Sequence, residues 1–435
     1  MPSETGLPAE TLATGPLARL AGLRLPWSTI GALGVRLGAA ALAYLLQILL
    51  ARSLGAAEYG TFSFAWSVVT IGGFLATLGF GQIAVRFLAE YHERGEPGLA
   101  RGFLLHAILV TTAGSLVLAA ILYALFPLVE AGYGLLCCSA LAIGLLALPF
   151  FAVTDLVEGF ARSQGWTIRA LAPAYLVRTG LLMLALIGTL WLGYSANAIS
   201  AMVLALGATI GAAVLQICWT MPALLRLFPP APAKTERASW NGAAMPTLLS
   251  DLALLARQHI DLIILGLLAP PAVVGLYFAA TRIASLIGLV EFAIGASFGH
   301  RFAREASKGA GGPAFREARR WMRIAGLGGA IALGLGTPLI LSLFGEGFAG
   351  ALWPTLLLIT GAAVRMTLGP LEDLLTMSGF AADVWRANAI GALITATLCP
   401  LLAGPYQAIG AAIAAMLGNL AAGLALALAH RRVTS

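Results

Sequence analysis

The sequence predicts an all-α polytopic membrane protein, with about 12 transmembrane helices in two six-helix lobes around a central cleft. Three observations support this prediction. The 435 residues are 60% hydrophobic and only 10% charged, with a mean hydropathy of +0.91, whereas a soluble domain carries about 25% charged residues. The apolar runs reach the roughly 20 residues that span a bilayer as a helix. The distribution of basic residues and an internal repeat then indicate the orientation and the two lobes.

Apolar segments follow one another along the chain and are separated by short loops. The first 26 residues are mixed in composition, and the first apolar run has no small-residue cleavage site after a short core, so we expect a tail rather than a signal peptide. The predicted spans are 28–50, 61–86, 103–126, 132–160, 167–192, 196–223, 246–268, 272–298, 323–344, 350–378, 385–402 and 406–429.

Basic residues support both the count and the orientation of these spans. If the N-terminus is cytoplasmic, twenty of the 26 Lys and Arg residues lie on the cytoplasmic side, five lie within spans, and only Arg52 lies on the opposite side. This bias is a strong positive-inside signal. The net charge of +7 therefore reflects membrane orientation and not a nucleic-acid partner. Both termini are predicted to be cytoplasmic.

A weak internal repeat indicates two lobes. A shift of 215 residues places Gly60 on Gly275 and Arg86 on Arg301, in register with spans 1–2 and 7–8. Because six is even, the two halves should have the same orientation and be related by an axis along the membrane normal. The predicted parts are an N-terminal cytoplasmic tail (1–27), an N-lobe (28–223), a cytoplasmic inter-lobe linker (224–245), a C-lobe (246–429) and a cytoplasmic C-terminal tail (430–435).

Charged residues within the spans are the candidate site. An arginine at the centre of a membrane helix costs about 2.5–3.5 kcal/mol on insertion scales, and such residues usually face a bundle interior or a water-filled cavity. Arginine also holds phosphate oxygens through bidentate hydrogen bonds. We therefore expect at least two of the embedded arginines to line a cationic cavity for an anionic substrate. The candidates are Arg36, Arg178, Arg257, Arg282 and Arg365.

Helical spacing suggests which polar groups accompany these arginines. Gln47 lies on the same face of its span as Arg36, and Ser250, Arg257 and Asp261 form one stripe. The carboxylates are candidates for binding a coupling ion or proton; they are Asp251, Asp261 and Glu291.

Less specific interpretations stay open at this stage. Arg36 could extend to the cytoplasmic surface, and Arg257 with Asp261 could form an i,i+4 pair that only neutralises itself. Arg282 and Glu291 lie on roughly opposite faces of one span, so we expect them in different pockets. The spacing of Cys and His residues predicts no metal site.

Four stretches carry a resemblance to a known family. The segment "ARSLGAAEYGTFSFAW" (Ala51–Trp66) is followed by "LGFGQIAVRFLAEY" (Leu78–Tyr91), and later come "LFGEGFAGALWPTLLLI" (Leu343–Ile359) and "GPYQAIGAAIAAMLGNLAAG" (Gly404–Gly423). Together they resemble the polysaccharide exporters of the multidrug/oligosaccharidyl-lipid/polysaccharide superfamily, which includes the Wzx-type O-antigen flippases. The resemblance extends over nearly the whole chain, but these motifs do not mark a substrate.

The resemblance implies a transporter and not an enzyme. Its substrate would be an undecaprenyl-diphosphate-linked oligosaccharide, such as the repeat unit of O-antigen in lipopolysaccharide or of another surface polysaccharide or exopolysaccharide. It would cross the bacterial inner membrane by alternating access. The resemblance implies coupling to a proton or sodium gradient in at least some members, and no other cofactor. Membrane lipids, a polysaccharide polymerase and other glycan-assembly proteins are the implied partners.

Other functions remain open from the sequence. Within the same superfamily, the chain could be a cation-coupled multidrug exporter or a flippase for the lipid precursor of peptidoglycan. A cavity richer in arginine than in carboxylate disfavours cationic drugs. A membrane enzyme, such as a glycan ligase or polymerase, usually needs a sizeable extracytoplasmic loop, and the predicted outward loops are only a few residues each. A scaffold in a glycan-assembly complex would tolerate loss of the embedded charges.

Overall fold

The computed structural model describes residues 27–126, 135–291, 293–295, 298 and 312–434. At 27–33, 35–37, 135–137, 314 and 433–434 it describes the backbone and not the side chains. Most of the predicted N-terminal tail therefore lies outside the described residues, as does most of the basic loop between the eighth and ninth predicted spans.

Helices account for nearly all of the described residues, and no strand occurs among them. A π-helical turn at Ala172–Val177 joins two of the helices, and a 3-10 turn at Glu346–Ala351 precedes another. The α-helices are α1 (Trp27–Ala76), α2 (Phe80–Glu93), α3 (Pro97–Ala124), α4 (Leu135–Ser163), α5 (Thr167–Leu171), α6 (Arg178–Trp191), α7 (Ala198–Leu227), α8 (Arg237–Leu268), α9 (Pro271–Ala284), α10 (Pro313–Phe344), α11 (Leu352–Thr367), α12 (Leu371–Met377) and α13 (Ala381–Thr434).

Nine helical stretches of the described chain are long and apolar enough to cross a membrane. This confirms the prediction of an all-α polytopic membrane protein. Two of the nine, Gly38–Glu93 and Ala381–Arg432, contain 56 and 52 residues, about twice the length that one crossing needs. The number of twelve spans stays a prediction, because α8 is not among the nine stretches.

Both long stretches fold back on themselves at one non-helical residue. Gly55 has φ 73° within α1, and Gln407 has φ 48° within α13. The Tyr59 hydroxyl donates to Gln47 Oε1 at 2.8 Å, although twelve residues of a straight helix would separate them by about 18 Å. Likewise, Thr395 Oγ1 lies 3.4 Å from the carbonyl oxygen 19 residues further along. α1 and α13 are therefore each a pair of antiparallel helices, and a second break at 77–79 separates α1 from α2.

Helix packing divides the described chain into two groups. In the first group, α4 packs against α1, α2, α3 and α7. In the second group, α13 packs against α8, α11 and α12. The most extensive contact between the groups is that of α1 with α9, followed by that of α1 with α8. This division agrees with the order of the two predicted lobes, and the domain boundaries stay predictions.

The contact between α1 and α9 depends on two glycines. A Cβ atom at Gly60 would collide with the carbonyl oxygen of Pro271, and a Cβ atom at Gly275 would collide with that of Ala56. Next to this crossing, the ring of the fully buried Tyr59 packs edge-on against an aromatic ring of α9, with centroids 5.8 Å apart. The two lobes are therefore in close backbone contact at the end of the bundle that carries the Gly55 turn. These glycines are the pair that the internal repeat superimposes.

The inter-lobe connection is attached to the N-lobe. Only residues 228–236 of the predicted linker lie outside helices. The Lys234 backbone N–H donates to the Gly98 carbonyl at 3.0 Å. Trp240, in the first turn of α8, is fully buried, and its indole N–H donates to the Tyr91 hydroxyl at 2.8 Å. The first turn of α8 is thus part of the N-lobe packing.

We predict that Trp240→Ala destabilises the protein by about 3–5 kcal/mol, because it leaves a large cavity under the linker. Thermal unfolding of the detergent-solubilised protein measures the effect. Trp191→Ala is the matched control, since that indole is 86% exposed and its loss should change stability by less than about 0.5 kcal/mol. Equal stabilities of the two variants would contradict the buried anchor.

We predict that Gly60→Ala separates α1 from α9, because the added methyl group cannot fit against the Pro271 carbonyl. A cysteine at Ser67, which lines the cavity described below, should then react several-fold faster with an impermeant thiol reagent added from the side of the Gly55 turn. Gly207→Ala is the control, because that glycine has open space around it. If both variants are labelled at the same rate, the glycine contact does not close this end.

Candidate functional site

A central cavity of about 610 Å³ lies between the two lobes. Its walls come from α1, α6 and the π-helical turn on one side and from α8 and α9 on the other. The charged residues among its described lining are Arg178 and Arg282, and no described Asp or Glu lines it. With His259 neutral, the lining carries two positive charges. The cavity begins beside the Gly60–Gly275 crossing and extends toward the other end of the helices.

Arg178 projects from the N-lobe immediately after the π-helical turn. Its backbone N–H donates to the Pro173 carbonyl, five residues back. This single turn of the helix therefore contains one residue more than an α-helical turn. Such turns often occur at functional sites. The guanidinium carbon lies 4.5 Å from the centroid of the Phe151 ring and 5.8 Å from that of Trp66. These cation–π contacts hold the charge without neutralising it, and the described residues offer Arg178 no ion pair.

Arg282 enters the cavity from the C-lobe. Its guanidinium carbon lies 4.4 Å from the centroid of the Phe278 ring, one turn earlier on α9. The buried Nε atom has no hydrogen-bond partner within the described part of the chain. A buried guanidinium has five N–H donors, and leaving a donor unpaired costs free energy. The site therefore has donor capacity for an anionic ligand.

Other predicted cavity residues have separate positions. Gln47 lines the central cavity and accepts the hydrogen bond from Tyr59. Ser250 donates at 3.0 Å to the Pro246 carbonyl of its own helix and does not line the central cavity. Arg36 belongs to α1, but its side chain lies outside the described residues.

A second cavity of about 500 Å³ lies within the C-lobe. Arg365 lines this cavity and pairs with two carboxylates. One guanidinium nitrogen lies 2.9 Å from Glu291 Oε2, and another lies 3.0 Å from Glu372 Oε1. Asp373 also lines this cavity, as does Arg257. The three carboxylates outnumber the two arginines, so the charge of this cavity is opposite in sign to that of the central one.

Arg257 therefore faces the C-lobe cavity and not the central one. Its Nη1 atom donates to Asn419 Oδ1 at 2.7 Å. The i,i+4 pair with Asp261 is not formed, because the Asp261 carboxylate accepts from the Tyr277 hydroxyl and from the Leu262 backbone N–H. Two of the five candidate arginines thus lie in the central cavity, and two lie in the C-lobe cavity.

The predicted coupling carboxylates also lie apart from one another. Asp261 is buried and accepts a hydrogen bond from the Tyr277 hydroxyl. Glu291 pairs with Arg365 in the C-lobe cavity. Asp251 is partly exposed and lines neither cavity. Arg282 and Glu291 line different cavities, as their spacing predicted. Within the described ranges, no three His, Cys, Asp or Glu side chains converge as metal ligands would.

Several site features were missed in the sequence. The predicted span 350–378 is not continuous, because Gly369 has φ 90° and ends α11 before α12 begins. The Gly369-Pro370 dipeptide is a known breaker signal and could have indicated this. Asn419, a polar residue in an apolar run, could also have been noticed. The aromatic rings that support Arg178 come from other helices, and no spacing rule identifies them.

We predict that Arg365→Gln destabilises the C-lobe by about 1–3 kcal/mol, because it leaves two half-buried carboxylates facing each other. The double variant Glu291→Gln/Arg365→Gln should recover part of this loss. Thermal unfolding of the purified protein provides the measurement. Arg386→Gln removes an exposed pair with Asp383 and should cost less than about 1 kcal/mol. A loss no larger than that of Arg386→Gln would show that the Arg365 network is not a structural support.

A family model described as "Polysaccharide biosynthesis protein" matches residues 28–298. No curated protein sequence matches the chain significantly. Among solved structures, the lipid II flippase MurJ in an inward closed conformation is similar with a TM-score of 0.75 and 13% identity, over 92% of this chain and 87% of that one.

Two further structures share the fold. An inward-facing multidrug resistance MATE family transporter of the MOP superfamily has a TM-score of 0.67 and 16% identity, over 92% of this chain and 97% of that one. A MOP superfamily transporter from Pyrococcus furiosus has a TM-score of 0.60 and 16% identity, over 93% and 94%. At these identities the likeness shows the fold alone. Because the family match covers more than half of its residues, the chain belongs to the polysaccharide biosynthesis protein family.

Proposed function

We propose that the chain is a flippase for an undecaprenyl-diphosphate-linked oligosaccharide, such as a repeat unit of O-antigen or of another surface polysaccharide or exopolysaccharide. The observation that carries this proposal is the pair of guanidinium groups, Arg178 and Arg282, that line a cavity between the lobes in which no described carboxylate takes part. The family match and the transporter fold support it. The protein would act in the bacterial inner membrane with both termini in the cytoplasm, as the distribution of basic residues indicates.

The two arginines would hold the diphosphate, because a guanidinium binds phosphate oxygens bidentately and more strongly in a low-dielectric site. One arginine belongs to each lobe, so an anion between them would draw the lobes together. The sugars would occupy the polar part of the cavity near Gln47 and Gln258. The lipid tail would stay in the bilayer, because moving its apolar surface into water would be unfavourable.

Alternating access would involve breaking the Gly60–Gly275 contact and opening the cavity on that side. A diphosphate bound to both Arg178 and Arg282 would favour the arrangement in which the lobes are close together. A ligand can shift such an equilibrium only by binding the two states differently.

Coupling to a proton or sodium gradient is a further part of the proposal. The excess of carboxylates in the C-lobe cavity supports a cation there, with Glu291 as the predicted coupling residue that lines it. Glu291→Gln should therefore weaken the dependence of transport on the ion gradient while Arg178 and Arg282 still bind substrate.

We predict that Arg178→Ala and Arg282→Ala each reduce flipping by about tenfold to a hundredfold, the value of one charge-assisted hydrogen bond or more. Proteoliposomes with a fluorescent undecaprenyl-diphosphate-linked oligosaccharide report the rate. The lysine variants should lie between wild type and alanine, because they keep the charge but lose bidentate geometry. Arg226→Ala, an exposed residue at the end of α7, is the control. Wild-type rates in both alanine variants would refute the cavity assignment.

Deletion of the gene separates this function from its rivals. A flippase defect accumulates full-length lipid-linked oligosaccharide on the cytoplasmic face, detected by lipid extraction and mass spectrometry. Unchanged lipid-linked pools with altered drug tolerance would favour the multidrug exporter. Accumulation of the peptidoglycan precursor would favour the other lipid-precursor flippase.

A further inference from the structure

The outer surface of the C-lobe carries a cluster of arginines at the start of α10. Arg316, Arg319, Arg320 and Arg323 line a surface cleft of about 470 Å³. Their spacing of i, i+3, i+4 and i+7 places them along one side of the helix. None of them lines the central cavity or the C-lobe cavity, so the proposed transport site does not use this cluster.

Two of these arginines have fixed positions. The Nε atoms of Arg319 and Arg323 donate to the Thr367 carbonyl, at 3.5 and 3.1 Å. These bonds leave the terminal nitrogens available, and no described carboxylate pairs with either guanidinium. Arg320 is exposed and has no ion pair within the described chain. The cleft therefore presents three guanidinium groups without a described ion pair, those of Arg319, Arg320 and Arg323, and a backbone carbonyl orients two of them.

The cluster is continuous with an exposed apolar face of α10. Beyond Arg320, large apolar side chains along the same side of α10 remain exposed, and Leu335 is 80% exposed. Trp321, also exposed, lies beside the arginines, and tryptophan is enriched at the membrane–water interface. The exposed apolar residues are Ile324, Leu327, Ile331, Leu335 and Leu339. A molecule bound here would meet guanidinium groups at one end and an apolar helix face at the other.

We propose that this cleft binds the headgroup of an anionic phospholipid of the surrounding bilayer, with its acyl chains along the exposed face of α10. The arginines match a phosphate in charge and in hydrogen-bonding geometry. Each basic residue near an anionic membrane surface contributes about 1 kcal/mol of attraction. The apolar stripe selects a lipid over a soluble phosphate, because only a lipid covers both surfaces.

Binding of defined lipids to the purified full-length chain tests this proposal. Native mass spectrometry would measure the dissociation constants of phosphatidylglycerol and of phosphatidylethanolamine, whose headgroup is zwitterionic. The wild type should bind phosphatidylglycerol more tightly. The variant Arg319→Gln/Arg320→Gln/Arg323→Gln should weaken phosphatidylglycerol binding by about tenfold or more and weaken phosphatidylethanolamine binding less, because its ammonium group already offsets the phosphate charge.

Control variants keep the result interpretable. Arg86→Gln/Arg94→Gln/Arg226→Gln removes three exposed charges elsewhere and should leave phosphatidylglycerol binding within about twofold of wild type, since the cleft is intact. Arg320→Gln alone alters no contact of the described chain and should weaken binding several-fold, so the proposal stays testable if the triple variant does not fold.

Three outcomes would overturn the proposal. Equal phosphatidylglycerol binding by wild type and both α10 variants would show that the cleft is not a headgroup site. An equal loss in the control triple variant would show that only net charge matters. Binding of undecaprenyl diphosphate at the cleft, without preference for phosphatidylglycerol, would assign it to the lipid-linked substrate instead.

Discussion

The structure depends on the high cost of keeping a guanidinium group within a membrane. The described chain meets this cost in two different ways. In the C-lobe, Arg365 is neutralised by Glu291 and Glu372, and Arg257 donates to Asn419. In the central cavity, the two arginines lie against aromatic rings and have no carboxylate partner among the described lining. The first arrangement pairs the charge with carboxylates, and the second places it against aromatic rings.

Contacts between the lobes concentrate where the backbone allows them. Gly60 and Gly275 bring two helices together at one end of the bundle, since any side chain at these positions would meet a carbonyl oxygen. The inter-lobe linker is attached to the N-lobe, because Trp240 in the first turn of α8 is buried there and donates to Tyr91. A rearrangement that moves the lobes apart must therefore bend α8 beyond this anchor, and Pro246 lies within the helix there.

Much of the fold followed from composition and periodicity, because the bilayer restricts spanning segments to helices of known length. The prediction of one continuous span over 350–378 was wrong, although Arg365 still meets Glu372. The break at Gly369 turns the chain between them, and the pair forms across that break. The apolar runs marked the arginines as embedded polar residues, but the division of these arginines between two cavities was not foreseen. Rotation of each helix about its axis depends on neighbouring helices that spacing does not reveal.

The sequence by itself determined that the protein is a helical membrane protein, which residues are embedded charges, and which family its turns resemble. These properties are local, since each depends on the length and polarity of one segment or on a short motif. Only the tertiary structure decided which embedded arginines form ion pairs, because the carboxylate partner comes from another helical segment. It also decided where the cavity closes, because the approach of Gly60 to Gly275 joins residues that are 215 positions apart.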